Sequence, residues 1–125
     1  MQQHFVKVRF GLKRTDRLLN EEEYYPSLVG ELVDGVLTYV MEDGTSSIAV
    51  EENRIVLEHD GETHSKVHLY ADRDGAAVVR SAYGVMGLKA RLLERDVSES
   101  VWKISYAMVE GEETVSSLRF EIEFH

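Results

Sequence analysis

The sequence predicts an all-β protein: a small antiparallel up-and-down barrel of about 8–10 strands with little helix. Three observations carry this. Apolar and polar residues alternate with period two along most of the chain, as they do when successive side chains of a strand point to opposite faces. Turn residues, mainly Asp-Gly and Glu-Asp-Gly, recur at the short intervals of hairpin-linked strands. No helical pattern long enough to cover an open sheet is present, so the oily faces must close on each other.

The elements follow in order. His4 to Phe10 sets Val6, Val8 and Phe10 against Lys7 and Arg9. Thr15 to Tyr24 reads as an acidic loop in preference to a short helix, and the only proline, Pro26, marks entry into a strand or an edge position. Leu28 to Val33 meets Val36 to Met41 across Asp34-Gly35, a strong two-residue hairpin signal. Glu42-Asp43-Gly44 leads into Thr45 to Glu51, and Glu52-Asn53 into Arg54 to His59. Asp60-Gly61-Glu62 turns into Thr63 to Tyr70, and Asp72 to Gly75 precedes Ala76 to Tyr83. Gly84 starts Val85 to Leu93. The last hairpin is the clearest: Trp102, Ile104, Tyr106 and Met108 alternate inward, Glu110-Gly111-Glu112 turns the chain, and Leu118, Phe120, Ile122 and Phe124 alternate back. Gly30 and Gly87, inside strand patterns, suit the bends of a small barrel.

A chain of 125 residues, 43% of them hydrophobic, has the length and composition of one folded domain, taken as residues 1–125. Its formal charge of -9, from 14 Lys+Arg and 23 Asp+Glu, repels phosphate backbones and argues against nucleic acid as a partner. The basic run Lys7, Arg9, Lys13, Arg14 and Arg17 reads as the solvated face of one strand and its following loop. Cysteine is absent, which removes disulfides and thiolate chemistry and is compatible with the cytosol. Met1 to Phe5 shows no signal-peptide pattern, and no apolar run approaches the roughly 18 residues of a membrane helix. A cytoplasmic protein without membrane contact is the expectation.

Two stretches resemble the YwiB-like family of uncharacterised bacterial proteins. The first is Gly30 to Gly61, with Tyr39, Glu42-Asp43-Gly44, Ile55-Val56-Leu57 and Asp60-Gly61; the second is Val79-Arg80-Ser81-Ala82-Tyr83-Gly84. The resemblance implies a lipocalin-like (calycin) barrel and no established activity. This chain departs from the family pattern at Glu58 and His59, where an arginine is usual, and at Val79 and Ser81, which replace a tyrosine and a threonine.

Candidate chemistry is sparse. His59, His64 and His68 fall on one hairpin as a conceivable metal trio, but His64, Lys66 and His68 share the solvent face and Lys66 repels a cation, so no metal is expected. Ser46, Ser47, Ser65, Ser81 and Ser98 lie in no nucleophile elbow, and no phosphate loop is visible. Acidic pairs such as Glu51-Glu52 and Glu112-Glu113 sit in turns and read as solvated. The expectation is a non-catalytic protein with no cofactor. The aromatic and sulfur residues leave two readings open. Tyr39, Tyr83, Met86, Trp102, Tyr106 and Met108 either pack a filled barrel or line a pocket for a small apolar ligand. A filled barrel points to an interaction or structural module, perhaps a homodimer, with Val85, Leu93 and Val101 as its outer apolar patch.

Overall fold

The computed structural model describes residues 5–125; the expected strand start at His4 and the N-terminal residues Met1 to Gln3 lie outside them. Ten strands follow one another: β1 (Phe5–Asp16), β2 (Glu21–Val33), β3 (Val36–Met41), β4 (Gly44–Val50), β5 (Arg54–Gly61), β6 (His64–Tyr70), β7 (Gly75–Ser81), β8 (Gly84–Val97), β9 (Val101–Glu110) and β10 (Glu113–Phe124). Each pairs antiparallel with the next, and β1 pairs with β10 to close the barrel. Closure removes the free edges that an open sheet would expose. Among the described residues there is no helix, hence none long and apolar enough to cross a membrane.

The Asp34-Gly35 hairpin forms as expected: Val33 pairs with Val36, and both turn residues hold positive φ, 48° and 80°. The stretch from Thr15 to Tyr24 differs from expectation, since most of it is strand. β1 continues to Asp16, β2 begins at Glu21, and only Arg17 to Asn20 turn, with Asp16 Oδ1 accepting from the amides of Leu18 and Leu19. The cause is charge pairing across the ladder. Lys13 lies 3.5 Å from Glu22 and Arg14 3.6 Å from Glu23, so the acidic run and part of the basic run hold each other extended. Pro26 sits where the β1–β2 register slips between Phe10↔Leu28 and Leu12↔Tyr25, a position that asks no ladder hydrogen bond of it.

Inward residues pack the core, and those around Trp102 fill one end of the barrel. Phe10, Leu12, Leu37, Ile48, Ile55, Leu69, Ile104 and Ile122 are fully buried. An aromatic chain runs through this core. Trp102 meets Phe124 edge-on at 5.2 Å, Phe124 meets Phe10 at 6.2 Å, and Phe10 meets Tyr39 edge-on at 5.4 Å. Gly30 is where β2 and β3 approach too closely for a side chain: a Cβ there would press on the Thr38 carbonyl and the Phe10 ring. Gly87 has no such reason, because a Cβ there meets nothing.

A bulge after Leu92 breaks the alternation of β8. Leu93 turns out to solvent, and Glu94 is brought opposite Ser105 on the outer face. There its carboxylate accepts from Ser105 Oγ at 2.9 Å and from Arg119 Nε at 3.0 Å, which explains why Ser105 is fully buried outside the barrel. The expected outer patch does not assemble. Val85 lies at the start of β8, just after Gly84, whereas Val101 lies beside the far end, where Val97 pairs with Trp102. From Val85 to Val97 a strand spans on the order of 40 Å.

Candidate ligand cavity

At the end of the barrel away from Trp102 the interior is hollow. A cavity of about 880 Å³ opens there. Its apolar wall comes from inward positions of successive strands: Leu12, Leu28, Ile48, Leu57, Val67, Met108, Leu118 and Phe120. Tyr106 and Phe120 lie parallel in this wall, ring centroids 6.3 Å apart.

The polar groups obey the same parity. On β1, Phe10 and Leu12 are core, so Arg14 and Asp16, two and four residues beyond Leu12, also face inward. On β4, Ser46 shares the face of Ile48; on β5, His59 shares that of Ile55 and Leu57; on β6, Ser65 shares that of Val67. Tyr25 and Glu23 come from β2, and the Tyr25 hydroxyl donates to Glu23 Oε2 at 2.6 Å. That bond holds the proton on Tyr25 and raises its pKa. Burial pushes the phenols of Tyr39 and Tyr106 up to about 12, with the Arg14 charge opposing the shift in both. Both phenols therefore remain neutral hydrogen-bond donors at any physiological pH. Carboxylates outnumber Arg14 around the rim, with Asp16, Glu23, Glu42 and Asp43 all lining the opening.

The rim depends on two glycines. The β3–β4 turn and the β5–β6 turn lie against each other, where a Cβ on Gly44 would strike the Asp60 carbonyl and one on Gly61 the Asp43 carbonyl. This contact carries Asp43 over His59, whose Nε2 lies 3.2 Å from the Asp43 carbonyl oxygen. On its other side His59 Nδ1 meets Ser46 Oγ at 2.8 Å.

The six residues expected to line a pocket separate. Tyr39, Tyr106 and Met108 line the cavity. Trp102 faces inward but belongs to the filled end, against Phe124. Tyr83 is fully exposed at the tip of the β7–β8 hairpin, and Met86 is half exposed. Met86 has the right parity, since it pairs with the cavity residue Val79, but β9 first pairs with β8 at Lys89. The preceding part of β8 therefore has no β9 neighbour to hold it against the barrel, and Met86 stays half exposed and outside the cavity wall although its partner Val79 lines it. The histidines also part: His59 faces in, while His64 bonds Glu58 Oε2 at 2.8 Å on the outer face. Among the described residues no cluster of His, Cys, Asp and Glu is arranged to hold a metal ion. Arg14, expected on a solvated face, is the one member of the basic run that reaches the cavity.

The barrel is similar to the crystal structure of the YwiB protein from Bacillus subtilis, with a TM-score of 0.65 over 98% of this chain and 95% of that one. The fold is YwiB-like. Sequence identity between the two is 13%, so the likeness concerns the path of the chain. No family model matches the sequence, and no curated protein matches it.

Proposed function

We propose that this barrel binds a small, largely apolar molecule in its open end. The observation that carries the reading is the cavity itself. About 880 Å³ falls within the range of roughly 300–1,000 Å³ typical of small-molecule sites, and an apolar wall with a few convergent polar groups is how such sites are built. The aromatic chain from Trp102 to Tyr39 packs the other end of the barrel. Tyr39, Tyr106 and Arg14 offer donors to a polar group on the ligand. The carboxylates at the mouth disfavour a strongly anionic molecule, so a neutral one with a single acceptor oxygen suits the site best. Membership of the YwiB-like family, with its calycin type of barrel, is part of the same proposal; it is supported by the shared path of the chain and by the resemblance of the Gly30–Gly61 and Val79–Gly84 stretches. A cytoplasmic setting accompanies it, supported by an acidic, cysteine-free composition that needs no oxidising compartment.

Titration with the neutral dye N-phenyl-1-naphthylamine tests the reading. Saturable, blue-shifted emission at one dye per chain is expected. Ser65→Phe, which projects a ring into the cavity, should abolish it while the circular dichroism spectrum is kept. No saturable binding by the native protein, or binding indifferent to Ser65→Phe, would overturn the proposal.

A further inference from the structure

Binding alone leaves one arrangement in the cavity wall unused. Ser46 and His59 are direct partners across the β4–β5 ladder and both face inward. Ser46 Oγ lies 2.8 Å from His59 Nδ1. The other ring nitrogen, Nε2, faces the Asp43 carbonyl oxygen at 3.2 Å and the Asp43 carboxylate Oδ2 at 3.6 Å. Both Asp43 groups accept, so Nε2 of a neutral ring carries the proton and Nδ1 is left to accept the Ser46 hydroxyl. A hydroxyl on a base, with the base oriented by a third group, is the general pattern of an activated nucleophile. The two ring nitrogens exchange the roles they have in the serine-protease triad, and the hydrogen-bond logic is unchanged.

An acyl transfer also needs a donor for the oxyanion. A side chain of the cavity wall can supply it. Tyr39 pairs directly with Ser46 across β3–β4 and faces the same cavity. Burial keeps its phenol protonated, although a hydrogen bond with Ser46 first and the Arg14 charge second oppose that shift. His59 remains open to the cavity, its side chain 28% exposed.

We propose that Ser46 is a nucleophile, with His59 as its base and Asp43 as the positioning residue, and that it accepts acyl groups from small neutral esters. The proposal rests on reading the cavity as a small-molecule site, since the ester's apolar acyl chain must enter it. Ser46 Oγ attacks the ester carbonyl carbon while its proton passes to His59 Nδ1. The bond from that carbon to the leaving oxygen then breaks, and the leaving alcohol takes the proton from Nδ1. Water then attacks the acyl carbon as Nδ1 takes its proton; the bond from that carbon to Ser46 Oγ breaks, and Nδ1 returns the proton to Oγ, which releases the carboxylic acid and restores both Ser46 and His59.

The test is covalent labelling with an alkyl fluorophosphonate, followed by intact mass and peptide mapping. The expected result is one phosphonyl group on Ser46 with loss of fluoride. Label should be absent in Ser46→Ala and at least tenfold slower in His59→Gln, with both variants shown to be folded by circular dichroism. Native protein that binds N-phenyl-1-naphthylamine but takes no label, or takes it on Tyr39, overturns the nucleophile and leaves the binding site standing. Native protein that does neither overturns both. Labelling of Ser46 at an unchanged rate in His59→Gln overturns the role of the histidine.

Discussion

The carbonyl oxygen of Asp43 occupies the space in which a side chain on Gly61 would begin. Two hairpin turns are thereby pressed together, and the contact sets the height of Asp43 above the His59 ring. Gly61→Ala should force the β3–β4 turn away. A destabilisation of about 1–3 kcal/mol by urea unfolding is expected, the usual cost of adding a methylene where there is no room. A changed NMR shift of the His59 ring protons should accompany it. Gly87→Ala is the contrast, because a Cβ there meets nothing and its φ lies outside the left-handed region. It should be neutral or gain up to about 1 kcal/mol through the unfolded chain.

Parity decides how much of this was readable beforehand. The all-β barrel of about 8–10 strands and the inward face of β9 follow from period two, and Tyr106 and Met108 face the way alternation puts them. The extension of β1 and β2 through Thr15 to Tyr24 does not follow from it. The same rule, carried past Leu12, puts Arg14 inward, and carried past Leu57 it puts His59 inward. The signal was present, but charge and polarity at those positions suggested solvent. Tyr83 and Met86 show the opposite limit. Alternation fixes which face a residue takes and says nothing of where along the barrel its neighbour strand stops, and β9 stops short of both. The meeting of Asp43 with His59 depends on two turns that are distant in sequence, and no local pattern encodes it.

Arg119 anchors the outer face of the bulge. Its guanidinium reaches Glu94 and Glu121, each at 3.0 Å, and Ser105 is sealed beneath. Arg119→Ala should cost about 1–2 kcal/mol, the lower part of the range for charge-assisted bonds, because Glu94 remains partly exposed to water. Arg119 first and Ser105 second hold the Glu94 carboxyl below its usual pKa. A depressed carboxylate stabilises the fold above its unfolded pKa, and that stability is lost as pH falls through the folded value. Native protein should therefore lose more stability on acidification below about pH 4 than Arg119→Ala does. Parallel acid titrations of the two would remove Arg119 as the cause.

The phenols make the opposite prediction at high pH. Tyr39 and Tyr106 titrate near 12 in the folded protein and near 10 when unfolded. Between those values the native state holds more protons than the unfolded state, so stability falls as pH rises. Below pH 10 the contribution is fully present; by pH 12 it is largely gone. That difference corresponds to on the order of 3 kcal/mol for each phenol. Urea midpoints measured from pH 9 to 12 should fall steeply, and Tyr106→Phe should flatten about half of that fall. An equally steep fall in the variant would show that Tyr106 is not one of the groups responsible.

Trp102 reports on the filled end of the barrel. It is 5% exposed and packed edge-on against Phe124, so its emission should be blue-shifted and should move red on unfolding. Trp102→Ala should cost about 3–5 kcal/mol, as truncation of a buried aromatic does. The cavity lies at the other end, among Tyr106, Met108 and Phe120. A non-absorbing aliphatic alcohol that enters it should raise the melting temperature by mass action and leave the Trp102 emission maximum in place. Moving the reporter, with Tyr106→Trp in a Trp102→Phe background, should give an emission that shifts on the same addition. The pair of measurements locates the ligand. A response from Trp102 with silence from a tryptophan at position 106 would put the bound molecule in the closed end, where side chains already fill the space, and the cavity assigned here would be the wrong one.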